Sequence, residues 1–446
     1  MAAGTGLLVA LVAGQSAPTA RDGAPVAIAP PPVSWPASCL FQAGTRARDT
    51  LDPVALASLG DGPLPLRHVI VLMQENRSYD HYFGRLSSSG QPDADGFPPS
   101  YGNHDGAGRL VRPFHLRSTC VHGDPPHQAD SMRAQWNGGR MDGFLAESAR
   151  VDGRSKRRAA RHPVDDDDDD AGQFALGYYA QKDLPFYYYL ANTFTIADRY
   201  FAAAMAGTWP NRQFLYTATA QQRLAPTAQL LGARTIFQEL TAADVSWAVY
   251  TDGPPRQDCI GWTQTTPGVK PIASLWRALA NGTLPAVSFV DPSADDEHPP
   301  ADIQRGEGWA RRLFQAATHS PAWAQMVLLY TYDEGGGFFD HVPPPAACPP
   351  DGARAEYDRR GARVPLIVIS PWARRHHVSH VEHDHASVLR LIELMFNLPA
   401  LTARDANADA LLDAFDFRRP PALDVPPPPR SGRGGCRPSR EAMASR

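Results

Sequence analysis

The sequence lacks both a surplus of basic residues and a long apolar segment, and each absence excludes a class of protein. Its 446 residues contain 43 Lys and Arg against 47 Asp and Glu, which gives a formal net charge of −4. Nucleic-acid binding needs a basic face, so this balance argues against nucleic acid as a partner. No run approaches the ~20 apolar residues that span a bilayer, so we expect no transmembrane segment.

Cysteine is also scarce, and no two cysteines form a CxxC pair, which argues against a thiolate zinc site. Their wide spacing suits one or two disulfides in an exported protein, with one thiol left over. Buried free thiols are the alternative. The five are Cys39, Cys120, Cys259, Cys348 and Cys436.

The N-terminus has the outline of a secretory signal. Residues 7–13 form a short apolar run followed by small residues, although no Lys or Arg precedes it. We therefore predict a signal segment over residues 1–17 and a secreted or periplasmic protein.

Proline and glycine are abundant, with 43 and 36 residues, and predict long, shaped loops between core elements. Four apolar, β-branched runs are typical of buried parallel strands, and each ends in polar residues. The segments between them predict helices, and this alternation indicates a doubly wound α/β fold. The predicted strands are 66–73, 286–290, 325–332 and 364–370, and the predicted helices are 132–149, 173–191, 208–221, 270–281, 307–319 and 384–397.

Two of these strands end in acidic or amide residues, at the edge where open α/β sheets place ligands. Glu75 and Asn76 follow the first strand, and Asp333 and Glu334 follow the third. Buried charges of this kind are costly unless something compensates them. Oxygen ligands of this type favour a hard divalent cation. The alternative is that each pair caps a helix or a loop.

Thr208 follows Gly207 at the start of a predicted helix, where the helix N-terminus stabilises developing anionic charge. It is a candidate nucleophile, or else an ordinary capping residue. His127 and His298 lie in polar, proline-flanked loops and could bind a phosphoryl oxygen or protonate a leaving group, with Glu297 fixing the tautomer of His298. The alternative for each histidine is a surface residue without a role.

Several blocks in order resemble the bacterial phosphoesterase family, which holds phospholipases C and a group of acid phosphatases. Together they extend over roughly residues 66–400. The blocks are 68–84, His127, 138–144, 197–201, 207–212, 297–299, 332–342, 364–372 and 384–385.

The resemblance implies an alkaline-phosphatase-like α/β/α sandwich with a mostly parallel central sheet. It implies that Thr208 is the nucleophile and that His127 and His298 hold the phosphoryl group and assist the leaving group; Glu297 directly precedes His298. It further implies a divalent metal ion, a phospholipid or phosphoester substrate and transient contact with a membrane surface. The metal ligands that match the family are Glu75, Asn76, Thr208, Asp333 and Glu334.

The expected organisation is a signal segment over 1–17, an arm over 18–64, the phosphoesterase catalytic domain over 65–418 and a disordered tail over 419–446. The sequence ends about 50 residues after the core, unlike the haemolytic phospholipases C, and no Arg-Arg pair precedes residue 155, which leaves the export route open. Six consecutive aspartates at 165–170 predict a solvated loop, with calcium binding as the alternative.

The sequence is compatible with three functions. The first is a phospholipase C that forms a phosphothreonine intermediate and cleaves phosphatidylcholine. The second is an acid phosphatase that acts on monoesters, and the third is a binding protein of the same fold that has lost catalysis. Aromatic segments at 186–189 and 338–339 could contact lipid or belong to the core.

Overall fold

The computed structural model describes Met1, residues 39–432 with gaps at 52, 60–62, 106, 122, 159–172, 222–227, 294 and 351–357, and Cys436. The chain divides into two units, Met1–Pro32 and Val33–Arg446, and all the elements below belong to the second. Apart from Met1, the predicted signal segment lies outside the described residues, as does the aspartate run at 165–170.

Helices and strands alternate along most of the described chain. The helices are α1 Pro53–Leu59, α2 Tyr79–Phe83, α3 Ala129–Trp136, α4 Phe144–Arg158, α5 Pro185–Thr193, α6 Thr208–Thr217, α7 Ile236–Ala242, α8 Ile272–Asn281, α9 Ile303–Thr318, α10 His385–Phe396 and α11 Ala403–Ala406. The strands are β1 His68–Gln74, β2 Asn103–His104, β3 Leu110–Val111, β4 Phe114–His115, β5 Gly177–Tyr178, β6 Thr195–Ala197, β7 Tyr200–Phe201, β8 Trp247–Thr251, β9 Val269–Pro271, β10 Val287–Asp291, β11 Met326–Tyr332, β12 Leu366–Ile369, β13 His377–Ser379 and β14 His383–Asp384.

Among the described residues, eight strands form the central sheet, in the order β13-β6-β12-β11-β1-β10-β8-β9. Only β12 runs antiparallel to its neighbours, β11 and β6. Strands β10 and β11, which flank β1 in parallel, are buried along their whole length, as expected of a sheet covered on both faces. The predicted α/β class with a mostly parallel central sheet is confirmed, and all four predicted strands lie in this sheet.

Two of the predicted helices are wrong in extent. The helix predicted at 132–149 is two helices, α3 and α4, because the backbone turns left-handed at Asn137 (φ 46°) and Gly138 (φ 67°). The helix predicted at 173–191 begins only at Pro185, where the fixed φ of proline suits a first helical residue. A short 3-10 turn and strand β5 precede it.

The segments at both ends of the domain lie along its surface. In the N-terminal arm, Gly44 N donates to Ala400 O at 2.7 Å. Near the C-terminus, Trp323 Nε1 donates to Leu423 O at 3.3 Å and Arg311 Nε donates to Pro429 O at 2.7 Å. The predicted disorder is therefore wrong for residues 419–432, because carbonyl groups of this proline-rich segment accept bonds from side chains of the domain.

Two disulfides tie these end segments to the domain. Cys39 pairs with Cys348 and Cys120 pairs with Cys436, while Cys259 is a buried free thiol. The prediction of one or two disulfides with one thiol left over is confirmed. Within the described residues, no helix combines the length and apolar character needed to cross a membrane.

Candidate active site

The polar residues that follow β1 and β11 lie at one edge of the sheet. These strands pair in parallel from His68 opposite Met326 to Gln74 opposite Tyr332, so their carboxyl ends coincide. Asp333 N donates to Gln74 O at 3.2 Å directly beyond the last pair. Glu75 and Asp333 are both buried. This is the edge where parallel sheets commonly bind ligands.

A glycine turn after Glu334 folds tightly onto the end of β1. At Gly336 (φ 64°) an added Cβ would lie 2.4 Å from Asn76 O, and at Gly337 (φ 71°) it would lie 2.6 Å from Pro126 O. Any side chain would force both contacts apart, so glycine is required at both positions. The turn thereby brings Asn76 and the segment before His127 against the end of β11.

Thr208 is the first residue of α6 and is partly exposed, unlike the buried carboxylates. Gly207 precedes it without a side-chain cap, and a Cβ added at Gly207 would lie 3.5 Å from His127 O and 3.7 Å from His127 Cδ2. The backbone before Thr208 therefore packs against His127. The N–H groups of the first turn of α6 favour an anionic group at this point.

Arg212, four residues after Thr208, lies among three buried carboxylates. Its Nη2 is 3.3 Å from Glu75 Oε1, its Nη1 is 3.2 Å from Asp291 Oδ1, and its Nε is 3.2 Å from Asp333 Oδ2. Burial opposes the charge of this guanidinium, but Asp333 and Glu75 outweigh it and hold the pKa of Arg212 well above its usual value. Neither Arg212 nor Asp291 was among the predicted site residues, although the spacing of four residues from Thr208 places Arg212 on the same side of the helix.

Burial also shifts the pKa values of the two acidic residues that follow β11. It raises the pKa of Asp333 to about 7, against the lowering effect of Arg212. It raises the pKa of Glu334 to about 8, against the lowering effect of His127. The positive charge of Arg212 and His127 therefore offsets only part of the cost of burying these carboxylates, and a further cation would offset more of it.

Several side chains at this edge have buried polar atoms with no hydrogen-bond partner among the described residues. Among them are the amide oxygen and nitrogen of Asn76 and the Oε1 atom of Glu334. Unpaired oxygens of this kind, in an all-oxygen set, suit a hard divalent cation. A metal ion would not be the only positive charge at these carboxylates, because the Arg212 guanidinium contacts both Glu75 and Asp333. The residues thus fit a metal in chemical type, with Arg212 balancing part of their charge.

The two histidines lie together, with ring centroids 5.9 Å apart. His127 Nδ1 is 2.7 Å from Pro125 O and His298 Nδ1 is 2.6 Å from Pro299 O, so each Nδ1 donates to a backbone carbonyl. This fixes the tautomer and leaves Nε2 available on both rings. Burial opposes the charge of His127, but Glu334, 3.8 Å from its Nε2, and Asp124 outweigh it and raise its pKa.

Glu297 does not orient His298, and that prediction is wrong. Its carboxylate accepts bonds from three tyrosine hydroxyls, those of Tyr82 at 2.6 Å, Tyr332 at 2.7 Å and Tyr187. Burial raises its pKa to about 7 although these bonds lower it. The side chain belongs to a polar cluster within the core, and a backbone carbonyl takes the role that we predicted for it.

A further histidine supports the end of β11. His385 Nε2 donates to Asp333 O at 2.7 Å, and Tyr200 donates its hydroxyl hydrogen to His385 Nδ1 at 2.8 Å. Burial lowers the pKa of His385 to about 4, so it is neutral and can make both bonds. It holds the backbone of Asp333 in place.

Comparison with known proteins connects this site with phosphoric ester chemistry. Residues 66–399 match the model of the Phosphoesterase family. Phospholipase C A of Mycobacterium tuberculosis is 32% identical over 452 aligned positions, which cover 84% of this chain and 82% of that protein. Non-hemolytic phospholipase C of Pseudomonas aeruginosa is 31% identical over 424 positions, covering 80% of this chain and 58% of that protein.

Among solved structures, a protein in the alkaline phosphatase superfamily from Vibrio parahaemolyticus aligns with a TM-score of 0.40 and 9% identity, covering 82% of this chain and 76% of that chain. This score is too low to support a fold assignment, so the assignment of the α/β class depends on the observed order and direction of the strands.

Proposed function

The chain belongs to the phosphoesterase family, and from that premise we propose that it is a phospholipase C that cleaves phosphatidylcholine into diacylglycerol and phosphocholine. Hydrolysis of phosphoric esters follows from the family. The narrower substrate is supported by the relatives named phospholipase C, which are 32% and 31% identical over 84% and 80% of this chain.

One observation carries the proposal: a partly exposed hydroxyl at a helix N-terminus lies beside a histidine and next to buried, unpartnered oxygens. Gly207, the residue before Thr208, packs against His127, and the Nε2 atom of His127 is 3.8 Å from Glu334 Oε1. A nucleophile, a proton donor and a site for a cation are thus available at one edge of the sheet, which is what phosphoryl transfer requires.

We propose that a divalent cation is held by oxygens of Glu75, Asn76, Thr208, Asp333 and Glu334. When bound, such an ion lowers the pKa of a hydroxyl group and neutralises phosphoryl charge. The unpartnered atoms of Asn76 and Glu334 support this set. Arg212 supplies fixed positive charge to Glu75 and Asp333 from the other side.

In the proposed reaction Thr208 Oγ1 passes its proton to the unprotonated Nε2 of one of the two histidines, His127 or His298, and attacks phosphorus while the bond from phosphorus to the diacylglycerol oxygen breaks, which leaves phosphocholine on the threonine. The other histidine, protonated at Nε2, donates that proton to the departing oxygen. Water then attacks phosphorus and gives a proton to this second histidine, while the bond from phosphorus to Oγ1 breaks and the first histidine returns its proton to Oγ1, which releases phosphocholine and restores the hydroxyl. The first turn of α6 and both histidines hold the charge on the phosphoryl oxygens.

An acid phosphatase would use the same residues on monoesters, and a binding protein would need none of the chemistry. Neither is favoured by a specific observation at the site. For location we propose a secreted or periplasmic protein, because two disulfides are expected in an oxidising compartment.

The test is a parallel assay of the purified protein on phosphatidylcholine vesicles and on p-nitrophenyl phosphate, from pH 5 to pH 8, with and without a chelator. We expect diacylglycerol release that the chelator abolishes and little monoester cleavage. Fast monoester cleavage without diacylglycerol would assign the chain to the acid phosphatases. Absence of both activities, in protein reloaded with divalent metals, would leave the binding protein.

A further inference from the structure

Arg256 connects two parts of the proposed active site that come from different strands. It begins a short 3-10 turn, Arg256–Ile260, in the segment after β8. Its Nε atom lies 3.1 Å from Glu75 Oε1, directly after β1, and its Nη2 atom contacts Asp296 Oδ2 in the loop after β10. No step of the proposed reaction uses Arg256 or Asp296. The guanidinium thus joins a proposed metal ligand to the loop that carries His298.

The carboxylate of Asp296 continues this connection as far as His298. Its Oδ1 atom accepts a hydrogen bond from His298 N at 2.6 Å, while Oδ2 contacts the guanidinium. The His298 ring is fixed in turn, because its Nδ1 donates to Pro299 O at 2.6 Å. One carboxylate therefore binds Arg256 with one oxygen and the backbone of His298 with the other, so a shift of this carboxylate would move the histidine.

The contacts of Arg256 are largely shielded from water. The side chains of Glu75 and Asp296 are 5% and 13% exposed, and that of Arg256 is 31% exposed. Ion pairs in such surroundings are screened less by salt than exposed pairs. The loops after β8 and β10 also lie against each other, because Ser293 Oγ donates to Pro254 O at 3.3 Å. Arg256 is thereby held in a defined place between the two loops.

The two histidines differ in their relation to the nucleophile. The three heavy atoms nearest to a Cβ added at Gly207 include His127 O and His127 Cδ2, but no atom of His298. The His298 ring lies beyond this contact, with its centroid 5.9 Å from that of His127. In phosphoryl transfer the attacking and departing oxygens are roughly in line on opposite sides of phosphorus. His298, which is not packed against the segment before Thr208, therefore suits the departing oxygen.

We propose that Arg256 is a positioning residue that acts through Asp296 and holds His298 where its Nε2–H protonates the departing diacylglycerol oxygen. The proposal rests on the proposed phospholipase C function and extends it, because it assigns the acid of the first step to one of the two histidines.

The proposal predicts a dependence on the leaving group. A positioned general acid contributes about 10²–10⁴-fold to the rate when the departing oxygen needs a proton. The oxygen of diacylglycerol would otherwise leave as an alkoxide and depends on that proton. p-Nitrophenolate is stable as an anion, so its departure depends much less on an acid. Loss of the acid should therefore affect the lipid far more than a p-nitrophenyl ester.

The experiment compares kcat/KM on two phosphocholine esters, dihexanoyl phosphatidylcholine as dissolved monomers and p-nitrophenyl phosphocholine. Both give the same phosphothreonine intermediate, and kcat/KM reports the step in which the leaving group departs. Arg256→Met should lower kcat/KM about 100-fold for the lipid and less than about fivefold for the p-nitrophenyl ester. The ratio of the two values, p-nitrophenyl ester over lipid, should thus rise about 20-fold or more.

Two further variants separate positioning from a general structural effect. Asp296→Ala removes the acceptor of His298 N and leaves Arg256 beside Glu75, so it should raise the ratio as Arg256→Met does. Arg256→Lys keeps a cation near Asp296 and should recover part of the loss on the lipid. Circular dichroism confirms that each variant is folded.

Arg305→Met is the matched control, because Arg305 contacts Asp295, the residue before Asp296 in the same loop. Its Nη2 lies 2.9 Å from Asp295 Oδ1, and Arg312 also contacts this carboxylate. The control should leave the ratio unchanged.

Equal losses on both esters in Arg256→Met would show that Arg256 does not act through the acid, and would overturn the proposal while leaving the phospholipase C function intact. A ratio that rises in Arg256→Met but not in Asp296→Ala overturns it as well, because the connection through Asp296 would then be irrelevant. Absence of hydrolysis of both phosphocholine esters by the unchanged protein overturns the phospholipase C function, and this proposal with it.

Discussion

The Nε atom of Arg212 lies 3.2 Å from Asp333 Oδ2, and neither side chain reaches solvent. The same guanidinium contacts Glu75 and Asp291, so it connects carboxylates from three neighbouring strand ends, and Arg256 adds a second cation 3.1 Å from Glu75. Removing one partner of a buried ion pair leaves the other charge uncompensated, which costs about 3–5 kcal/mol. This relationship makes Arg212 a structural requirement of the site as well as part of its charge balance.

We expect Arg212→Met to lower the free energy of unfolding by about 3–5 kcal/mol at pH 7.5, because the buried carboxylates of Asp291 and Asp333 lose the guanidinium that contacts them, whereas Glu75 keeps Arg256. Urea unfolding followed by circular dichroism measures this loss. The control is Arg305→Met, which removes an exposed pair with Asp295 and should cost less than about 1 kcal/mol. Equal losses in the two variants would show that Arg212 has no special role.

Thr208→Ala should lower kcat on phosphatidylcholine by about 10³-fold or more while the protein stays folded, because the proposed nucleophile is removed and Thr208 is partly exposed. Thr208→Ser should keep measurable turnover, since a hydroxyl remains. Thr318→Ala, which removes a hydroxyl at the end of α9, serves as the control. Acid quenching followed by mass spectrometry should find a phosphorylated peptide containing Thr208. Residual turnover close to that of the unchanged protein would exclude the covalent route.

Metal removal should affect both stability and activity. A ligand that binds only the folded state stabilises it by about 2.7 kcal/mol at 100 times its dissociation constant. We therefore expect dialysis against a chelator to lower the melting temperature, and a divalent ion to restore it. Glu334→Gln should abolish this shift, whereas Glu307→Gln, at a buried carboxylate in another part of the fold, should keep it. A shift that persists in Glu334→Gln would place the ion elsewhere; elemental analysis of both variants gives an independent count.

Glu307 should make stability depend on pH. Burial raises its pKa from 4.5 to about 8, although its carboxylate accepts bonds from the backbone N–H groups of Phe186, Tyr187 and Gly432. A carboxyl group with a raised pKa binds more protons in the folded state, so its contribution is complete below pH 4.5 and is lost as pH rises through 8. The upper bound of this loss is about 5 kcal/mol.

Glu307→Gln cannot ionise, so the stability of the unchanged protein relative to this variant should fall between pH 5 and pH 8.5. Denaturant unfolding of both proteins at several pH values gives the difference directly. A difference that stays constant with pH would show that Glu307 is ionised throughout this range.

The disulfides should be detectable by counting thiols. Under denaturing, non-reducing conditions one thiol per chain, that of Cys259, should react with a maleimide, and Cys259→Ala should reduce the count to zero. The two bridges close loops with sequence separations of 309 and 316 residues, for which chain entropy gives about 6 kcal/mol each. Reduction should therefore lower the melting temperature strongly. Three reactive thiols would show that one bridge is absent.

The sequence predicted those features that depend on local pattern. Runs of buried β-branched residues gave all four predicted strands, and the helix at the end of the domain begins after Asp384 as expected, with Asp384 accepting from Ala386 N at 2.8 Å. Local pattern also identified the polar residue pairs Glu75–Asn76 and Asp333–Glu334 that follow β1 and β11. It predicted too long a helix at 132–149, because apolar periodicity does not reveal the left-handed turn at Asn137.

The amino-acid sequence by itself determined the class of fold, the strand ends that carry acidic groups and the hydroxyl that begins α6, because apolar patterning and short motifs are local properties. The tertiary structure alone determined which charged and polar groups contact one another. Arg212 contacts carboxylates 79 to 137 positions away in the chain, and Glu297 accepts hydrogen bonds from three tyrosines instead of contacting the His298 ring. The C-terminal segment lies along the domain. These outcomes depend on the order and register of the strands, which bring distant segments to one sheet edge, and no local pattern records that order.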